Sequence, residues 1–137
     1  MNFKPALRAL LITLGLVGIG LASTLAFAEL FVISHAATPI ESGDIKDIFR
    51  GDKRFAGPTK LIPIDNGPAQ GAFLSDVMSM DAARYNTIWT KKSFREGLIP
   101  PTVKSGDREV IDFVRKTPGA IGYVSSQPSG VNIVRRY

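Results

Sequence analysis

The sequence has 137 residues, with 17 Lys and Arg against 12 Asp and Glu, and a formal net charge of +5. It contains no cysteine, which excludes disulfides and thiolate ligands, and its single histidine excludes a metal centre built from several histidines. The basic residues do not form a stripe interleaved with aromatic residues, so no nucleic acid is expected as a partner, and no metal or cofactor is expected either.

Residues 1–28 have the pattern of a secretory signal peptide. Lys4 and Arg8 provide a positive start, residues 9–25 are almost entirely apolar, and Ala-Phe-Ala ends at Ala28 as an A-x-A cleavage pattern. We therefore expect cleavage near Ala28 and a periplasmic or secreted product. The alternative is an uncleaved membrane anchor, because the apolar run approaches the ~17 residues that a spanning helix needs.

Residues 29–137 are predicted to form a single domain. Removing 28 of 137 residues leaves 109, which is enough for one modest core. The removed part carries two basic residues and no acidic ones, so 15 basic residues remain against 12 acidic, a net charge of +3. This weak positive charge gives only a slight preference for a small anion.

Strand-like and helix-like segments alternate along the mature chain, which is typical of α/β folds with at least partly parallel strands. We predict a central mixed sheet of about four strands flanked by helices. The predicted strands are residues 30–34, 61–64, 120–124 and 131–134. The predicted helices begin near Ser42, Pro68, Asp81 and Asp107, and Asp107 is expected to cap the last of them.

The stretch 118–124 is predicted to be a turn followed by a buried strand. Pro118 and Gly119 end the preceding helix, and residues 120–124 are short and apolar. Gly122 inside the strand indicates close approach of another backbone or of a ligand. Tyr123 offers an aromatic face and one hydroxyl, and simple packing in the core is the alternative to a ligand contact.

The loop after the second strand has the features of an anion cradle. Residues 65–71 combine a glycine turn with Pro68 at the first position of a helix, whose free N–H groups and dipole attract negative charge. A carboxylate in the same loop opposes an anion, and a turn without a ligand is the alternative. The predicted ligand-binding residues are Asp65, Asn66, Gly67, Ala69, Gln70, Gly71 and Tyr123, and no catalytic residue is predicted.

A small basic cluster lies between the first helix and the second strand. Lys53, Arg54 and Lys60 flank a short irregular segment that contains Phe55. A solvated turn is the more common use of such a cluster, and an anion site is the alternative.

Several segments, taken in order and spacing, resemble one known family. They are IFRG at 48–51, the strand and aspartate at 61–65, Trp89 with Phe94, the prolines at 100–101, and TPGAIGYV at 117–124. The family is the short, single-domain members of the phosphate ABC transporter substrate-binding proteins, which are type 2 periplasmic binding protein-like domains. The resemblance implies one lobe of that fold, a solute-binding role and no catalysis.

The chain departs from this family in the predicted cradle. The phosphate-binding members carry an Arg and a Ser-Gly-Thr run in the loop that follows the strand matched by residues 61–64, and residues 65–72 contain neither. Two functions therefore stay open. The first is binding of a small anion such as phosphate, with an ABC transporter permease as partner. The second is an envelope protein–protein interaction module that kept the fold, and a homodimer is compatible with both. An enzyme is not expected, because no G-x-S-x-G or Walker-type motif is present.

Overall fold

A five-stranded mixed sheet organises the protein, whose computed structural model describes residues 29–137. The predicted signal peptide lies outside these residues. Within 29–137, no helix has both the length and the apolar character needed to cross a bilayer. The strands are β1 (Phe31–Ser34), β2 (Phe55–Ala56), β3 (Thr59–Lys60), β4 (Ile62–Asn66), β5 (Thr102–Lys104), β6 (Ala120–Val124) and β7 (Asn132–Arg136).

The helices connect these strands. A 3₁₀ turn, Ser42–Asp44, leads into α1. Another, Gly67–Ala69, leads into α2, which continues as a π-helical turn, Leu74–Met78. The α-helices are α1 (Ile45–Phe49), α2 (Gln70–Phe73), α3 (Ala82–Glu96) and α4 (Asp107–Lys116).

The strand order β5-β4-β6-β1-β7 places parallel and antiparallel pairs side by side. β4 runs parallel to β5 and β6, whereas β1 runs antiparallel to β6 and β7. The carboxyl ends of β4, β5 and β6 therefore meet at one edge of the sheet, which we call the carboxyl edge. The α/β class with a mixed sheet flanked by helices is confirmed.

The sheet has one strand more than the sequence predicted. β5 was not counted among the predicted strands because it has only three residues and none of them is buried, so it lacks the apolar pattern of an inner strand. β2 and β3 form a separate hairpin that was predicted as an irregular turn. Pro63 was expected at an edge or an interrupted ladder, and it lies where β4 pairs with β6 while β5 pairs only from Ile64 onward.

The core has two parts, one on each face of the sheet. Successive side chains of β6 alternate between them, as strand geometry requires: Ile121 and Tyr123 join one cluster, and Ala120 and Val124 join the other. The first cluster packs under α1 to α3 and contains Trp89, whose Nε1–H donates to the carbonyl of Phe49 at 2.9 Å. The second packs under α4.

Two glycines sit where a side chain would collide. A Cβ on Gly122 would lie 2.8 Å from Cγ1 of Val110, so the close neighbour there is a side chain of α4 and not the backbone or ligand that was predicted. Gly119 has φ of +86°, and a Cβ there would lie 2.1 Å from the carbonyl oxygen of Lys60. The absence of a side chain at these two positions lets α4 lie close to the sheet and lets the turn before β6 lie close to the β2–β3 hairpin.

Candidate functional site

Asp65 lies at the carboxyl edge but points into the core. Its side chain is the acceptor for two tyrosines: the hydroxyl of Tyr123 donates to Oδ1 at 2.9 Å, and the hydroxyl of Tyr85 donates to Oδ2 at 2.9 Å. Asp65 is 1% exposed and Tyr123 is fully buried, with its ring stacked on Phe73 at a centroid distance of 3.8 Å. This carboxylate is therefore enclosed by the protein's own donors.

Burial controls the protonation of this group. Desolvation raises the pKa of Asp65 to about 6, although hydrogen bonds from Tyr123, Tyr85 and Gln70 pull the pKa down. Desolvation, together with the nearby carboxylate, raises the pKa values of both tyrosines, so their hydroxyls stay protonated donors. The arrangement holds a charge inside the domain and leaves neither tyrosine hydroxyl free for a solute.

A second carboxylate, Asp107, accepts from another group of donors at the carboxyl edge. It accepts hydrogen bonds from Nδ2 of Asn66 at 2.8 Å, from the hydroxyl of Ser125 at 2.7 Å and from the hydroxyl of Ser126 at 3.0 Å. The backbone N–H of Ser125 also donates to it, at 3.1 Å. One amide, two hydroxyls and one backbone N–H are the kind of donor set that holds an oxyanion, and here an internal carboxylate occupies it.

The position of Asp107 corrects the prediction that it caps α4. Gly106 is the N-cap residue, and it makes no side-chain cap bond. Asp107 instead reaches from the first turn of α4 to the end of β6. Burial disfavours its charge, but the hydrogen bonds from Ser125, Asn66 and Ser126 outweigh burial and hold the pKa of Asp107 below its ordinary value.

The rest of the predicted cradle faces an open cleft of about 580 Å³. Gly67, Gln70 and Gly71 line it from one side, and Asp81 lines it from the other, where its Oδ1 accepts from the N–H of Arg84. Ser75 and Ser79 add hydroxyls, but no Lys or Arg is among the described residues that line the cleft. A cleft with a carboxylate and no cationic side chain is poorly matched to phosphate.

The predicted site residues thus divide into two groups. Asp65 and Tyr123 do come together, and Asn66 donates to the carbonyl of Tyr123 at 3.0 Å, but all three side chains are buried and bonded to one another or to Asp107. Ala69 is also buried. The groups that a solute could reach are those of Gly67, Gln70 and Gly71.

A different surface is open and apolar. A groove of about 560 Å³, which we call the apolar groove, lies between the β2–β3 hairpin and the segment that joins α3 to β5. Ile48, Leu61 and Trp89 form its buried floor. On its walls, Phe55 is 56% exposed and Ile99 is 85% exposed.

The apolar surface continues beyond this groove. A neighbouring cavity shares Trp89 and Pro100 with it and includes Phe94, which is 91% exposed. The resemblance matched Phe94 together with Trp89, yet only Trp89 packs in the core. Sequence reasoning missed the groove because its parts come from separate segments. The one feature of the sequence that could have indicated the groove was Phe55, an aromatic residue among Lys53, Arg54 and Lys60.

The comparisons with known proteins include a distant structural likeness. No protein-family model matches the sequence, and no curated protein matches it. The crystal structure of an ABC-type phosphate transport receptor from Vibrio cholerae is similar, with 13% sequence identity and a TM-score of 0.48. The match covers 79% of this chain and 46% of the receptor, so the chain spans about half the receptor's length. A likeness of this extent carries no conclusion about ligand or partner.

Proposed function

We propose that this domain is an envelope protein–protein interaction module that binds its partner at the apolar groove. The observation that carries the proposal is the exposure of Phe55, Phe94 and Ile99 beside a floor that contains Trp89. Contiguous apolar surface rimmed by polar residues is typical of interaction sites, whereas single exposed apolar residues are ordinary. The signal-peptide pattern of residues 1–28 supports the envelope setting.

The state of the carboxyl edge supports the same function. The donors that would hold a small anion are bonded to Asp107, and Asp65 adds a second carboxylate behind the loop. An incoming anion would have to displace a covalently tethered carboxylate and approach a buried one. The donors at the carboxyl edge are therefore already bonded to a carboxylate of the protein itself, which supports an interaction module over an anion-binding one.

Site-specific photocrosslinking in the native cell tests this function. The full chain would carry p-benzoylphenylalanine in place of Ile99 or, as a matched control, in place of Ile133. Both isoleucines are exposed, but Ile133 lies in β7 at the opposite edge of the sheet. We expect a discrete protein adduct from position 99 and none from position 133. Absence of an adduct at 99, or equal adducts at both positions, would overturn the proposal.

Binding of a small solute in the cleft beside Gly67 is the second candidate function. It is favoured by the accessible main chain of Gly67 and Gly71 and by the hydroxyls of Ser75 and Ser79. Amide resonances followed during a titration with millimolar phosphate distinguish the two functions. We expect no localised shifts over residues 66–72, and shifts confined to that loop would instead support the solute-binding function.

A further inference from the structure

The apolar groove carries enough detail to define the chemistry of its partner. We infer that it takes an extended, acidic segment of a partner protein, with apolar side chains of that segment entering between Phe55 and Ile99. This inference rests on the proposed function and adds the class of partner to it.

The shape of the groove favours inserted side chains over a flat surface. Phe55 on one wall and Ile99 with Pro100 on the other stand above a floor of Leu61 and Trp89. Binding energy at protein interfaces concentrates where apolar side chains fill such recesses and exclude water. A lipid surface offers no protruding groups to fill a recess, so a polypeptide is the better match.

The charges around the groove are complementary to an acidic segment. Lys53, Arg54 and Lys60 line it, and no Asp or Glu is among the described lining residues. Lys53 is paired with Asp44 at 2.9 Å, whereas Arg54 and Lys60 form no ion pair within residues 29–137. Two exposed, unpaired cations beside an apolar recess steer and align carboxylates.

The nearest carboxylates do not cancel this positive rim. Asp52 and Glu96 flank the groove in sequence, and both are held by Lys92, at 2.6 Å and 3.2 Å. Arg50 also lies 3.7 Å from Asp52, so cations outside the groove compensate part of these two charges. Arg54 and Lys60 remain the groove cations that form no ion pair within residues 29–137.

The outer strand β5 favours an extended conformation for the bound segment. The groove ends at Thr102, the first residue of β5, and β5 is an outer strand that pairs only with β4. The unpaired side of an outer strand offers backbone donors and acceptors to an added strand. Pro100 and Pro101 stiffen the approach to β5, so the groove wall changes little on binding.

Fluorescence anisotropy with three labelled synthetic peptides of equal length tests the partner class on the full-chain protein. The first peptide alternates Phe, Trp and Leu with Asp and Glu, the second replaces Asp and Glu by Lys, and the third replaces the apolar residues by Ser. We expect the first to bind roughly tenfold or more tightly than either of the others. We also expect its affinity to fall as NaCl is raised.

Paired variants locate the binding. The double variant Arg54→Glu with Lys60→Glu should weaken the first peptide roughly tenfold, and Ile99→Ser should do the same. The matched controls are Arg108→Glu with Lys116→Glu, two exposed cations on α4, and Ile133→Ser on β7. These controls should leave the affinity unchanged.

The outcomes separate this inference from the proposed function. A specific adduct at position 99 together with no preference for the acidic peptide, or with equal effects of groove and control variants, would overturn the inference and leave the interaction module standing. Binding of the protein to phosphatidylglycerol vesicles that is lost in the Arg54→Glu, Lys60→Glu variant, without binding of the first peptide, would also overturn it. If position 99 yields no adduct, the proposed function itself fails.

Discussion

The carboxyl edge and the apolar groove differ in whether their side chains have partners inside the protein. At the carboxyl edge, Asp65 accepts from Tyr85 and Tyr123, and Asp107 accepts from Asn66 and Ser125, so these donors are bonded inside the protein. At the groove, Phe55 and Ile99 remain in water, and Arg54 and Lys60 have no internal partner. Donors that are bonded inside the protein are not free to hold a ligand, whereas exposed apolar side chains and unpaired cations have free energy available for binding. Four substitutions break or sharpen this contrast.

The largest expected effect concerns the buried carboxylate of the edge. Because the pKa of Asp65 is about 6 in the folded protein and 3.8 ordinarily, the folded state binds more protons between these values. The free energy of unfolding should therefore fall by about 3 kcal/mol as the pH rises from ~4 to ~6. Asp65→Asn, which cannot ionise, should remove this dependence, as urea denaturation at stepped pH would show. Asp76→Asn, at an exposed position, is the control, and equal pH profiles for the two variants would contradict the assignment.

The next effect concerns the packing beneath the edge. Gly122→Ala places a Cβ 2.8 Å from Cγ1 of Val110 and should push α4 away from the sheet. We expect a loss of about 2 kcal/mol in the free energy of unfolding, measured by urea denaturation. Gly71→Ala is the matched control, because a Cβ there has no neighbour within 4 Å. Equal stability of the two variants would show that β6 and α4 are not packed as described.

A smaller effect is expected from the tethered carboxylate. Asp107→Ala removes the acceptor for Asn66, Ser125 and Ser126 and should cost about 1–2 kcal/mol at pH 7, since part of this network is exposed. The folded pKa of Asp107 is lowered, so its contribution is fully present above ~4 and is lost as the pH falls through the folded value. The difference between wild type and variant should shrink accordingly.

The vacated donors offer a sharper version of the same test. Added acetate or phosphate should raise the thermal midpoint of Asp107→Ala more than that of wild type or of Asp112→Ala, an exposed control on the same helix. If acetate affects all three proteins equally, the donors around Asp107 do not form an anion-like site.

The smallest effect on stability should come from the groove. Ile99→Ser removes a side chain that is 85% exposed, so the free energy of unfolding, measured by thermal denaturation, should change by no more than ~0.5 kcal/mol. The same variant is expected to lose partner binding. A large loss of stability would mean that Ile99 belongs to the core and that the groove is not an open surface.

The sequence predicted the helices and strands better than the contacts between their side chains. Apolar patterning located β1, β4 and β6, and Asp81 does cap α3 through the N–H of Arg84. β5 was not counted as a strand because three residues, none of them buried, show too little pattern to detect.

The site depended on contacts that no local pattern contains. Tyr123 meets Asp65 across 58 positions, and Asn66 meets Asp107 across 41. Local rules suggested a helix cap at Asp107 and a ligand contact at Tyr123. The long-range bonds instead decide what these side chains do, and they form only once the sheet brings β4, β6 and α4 together.

The place of β1 has a consequence for how the chain acquires its shape. Phe31 lies opposite both Val124 and Arg136, so β1 pairs on one side with β6 and on the other with β7, both far along the chain. Pairing between strands that are distant in sequence slows folding, because long loops must close before the stabilising contacts form. During synthesis or translocation from the amino end, β1 would therefore wait for β6 and β7 before its pairing could form.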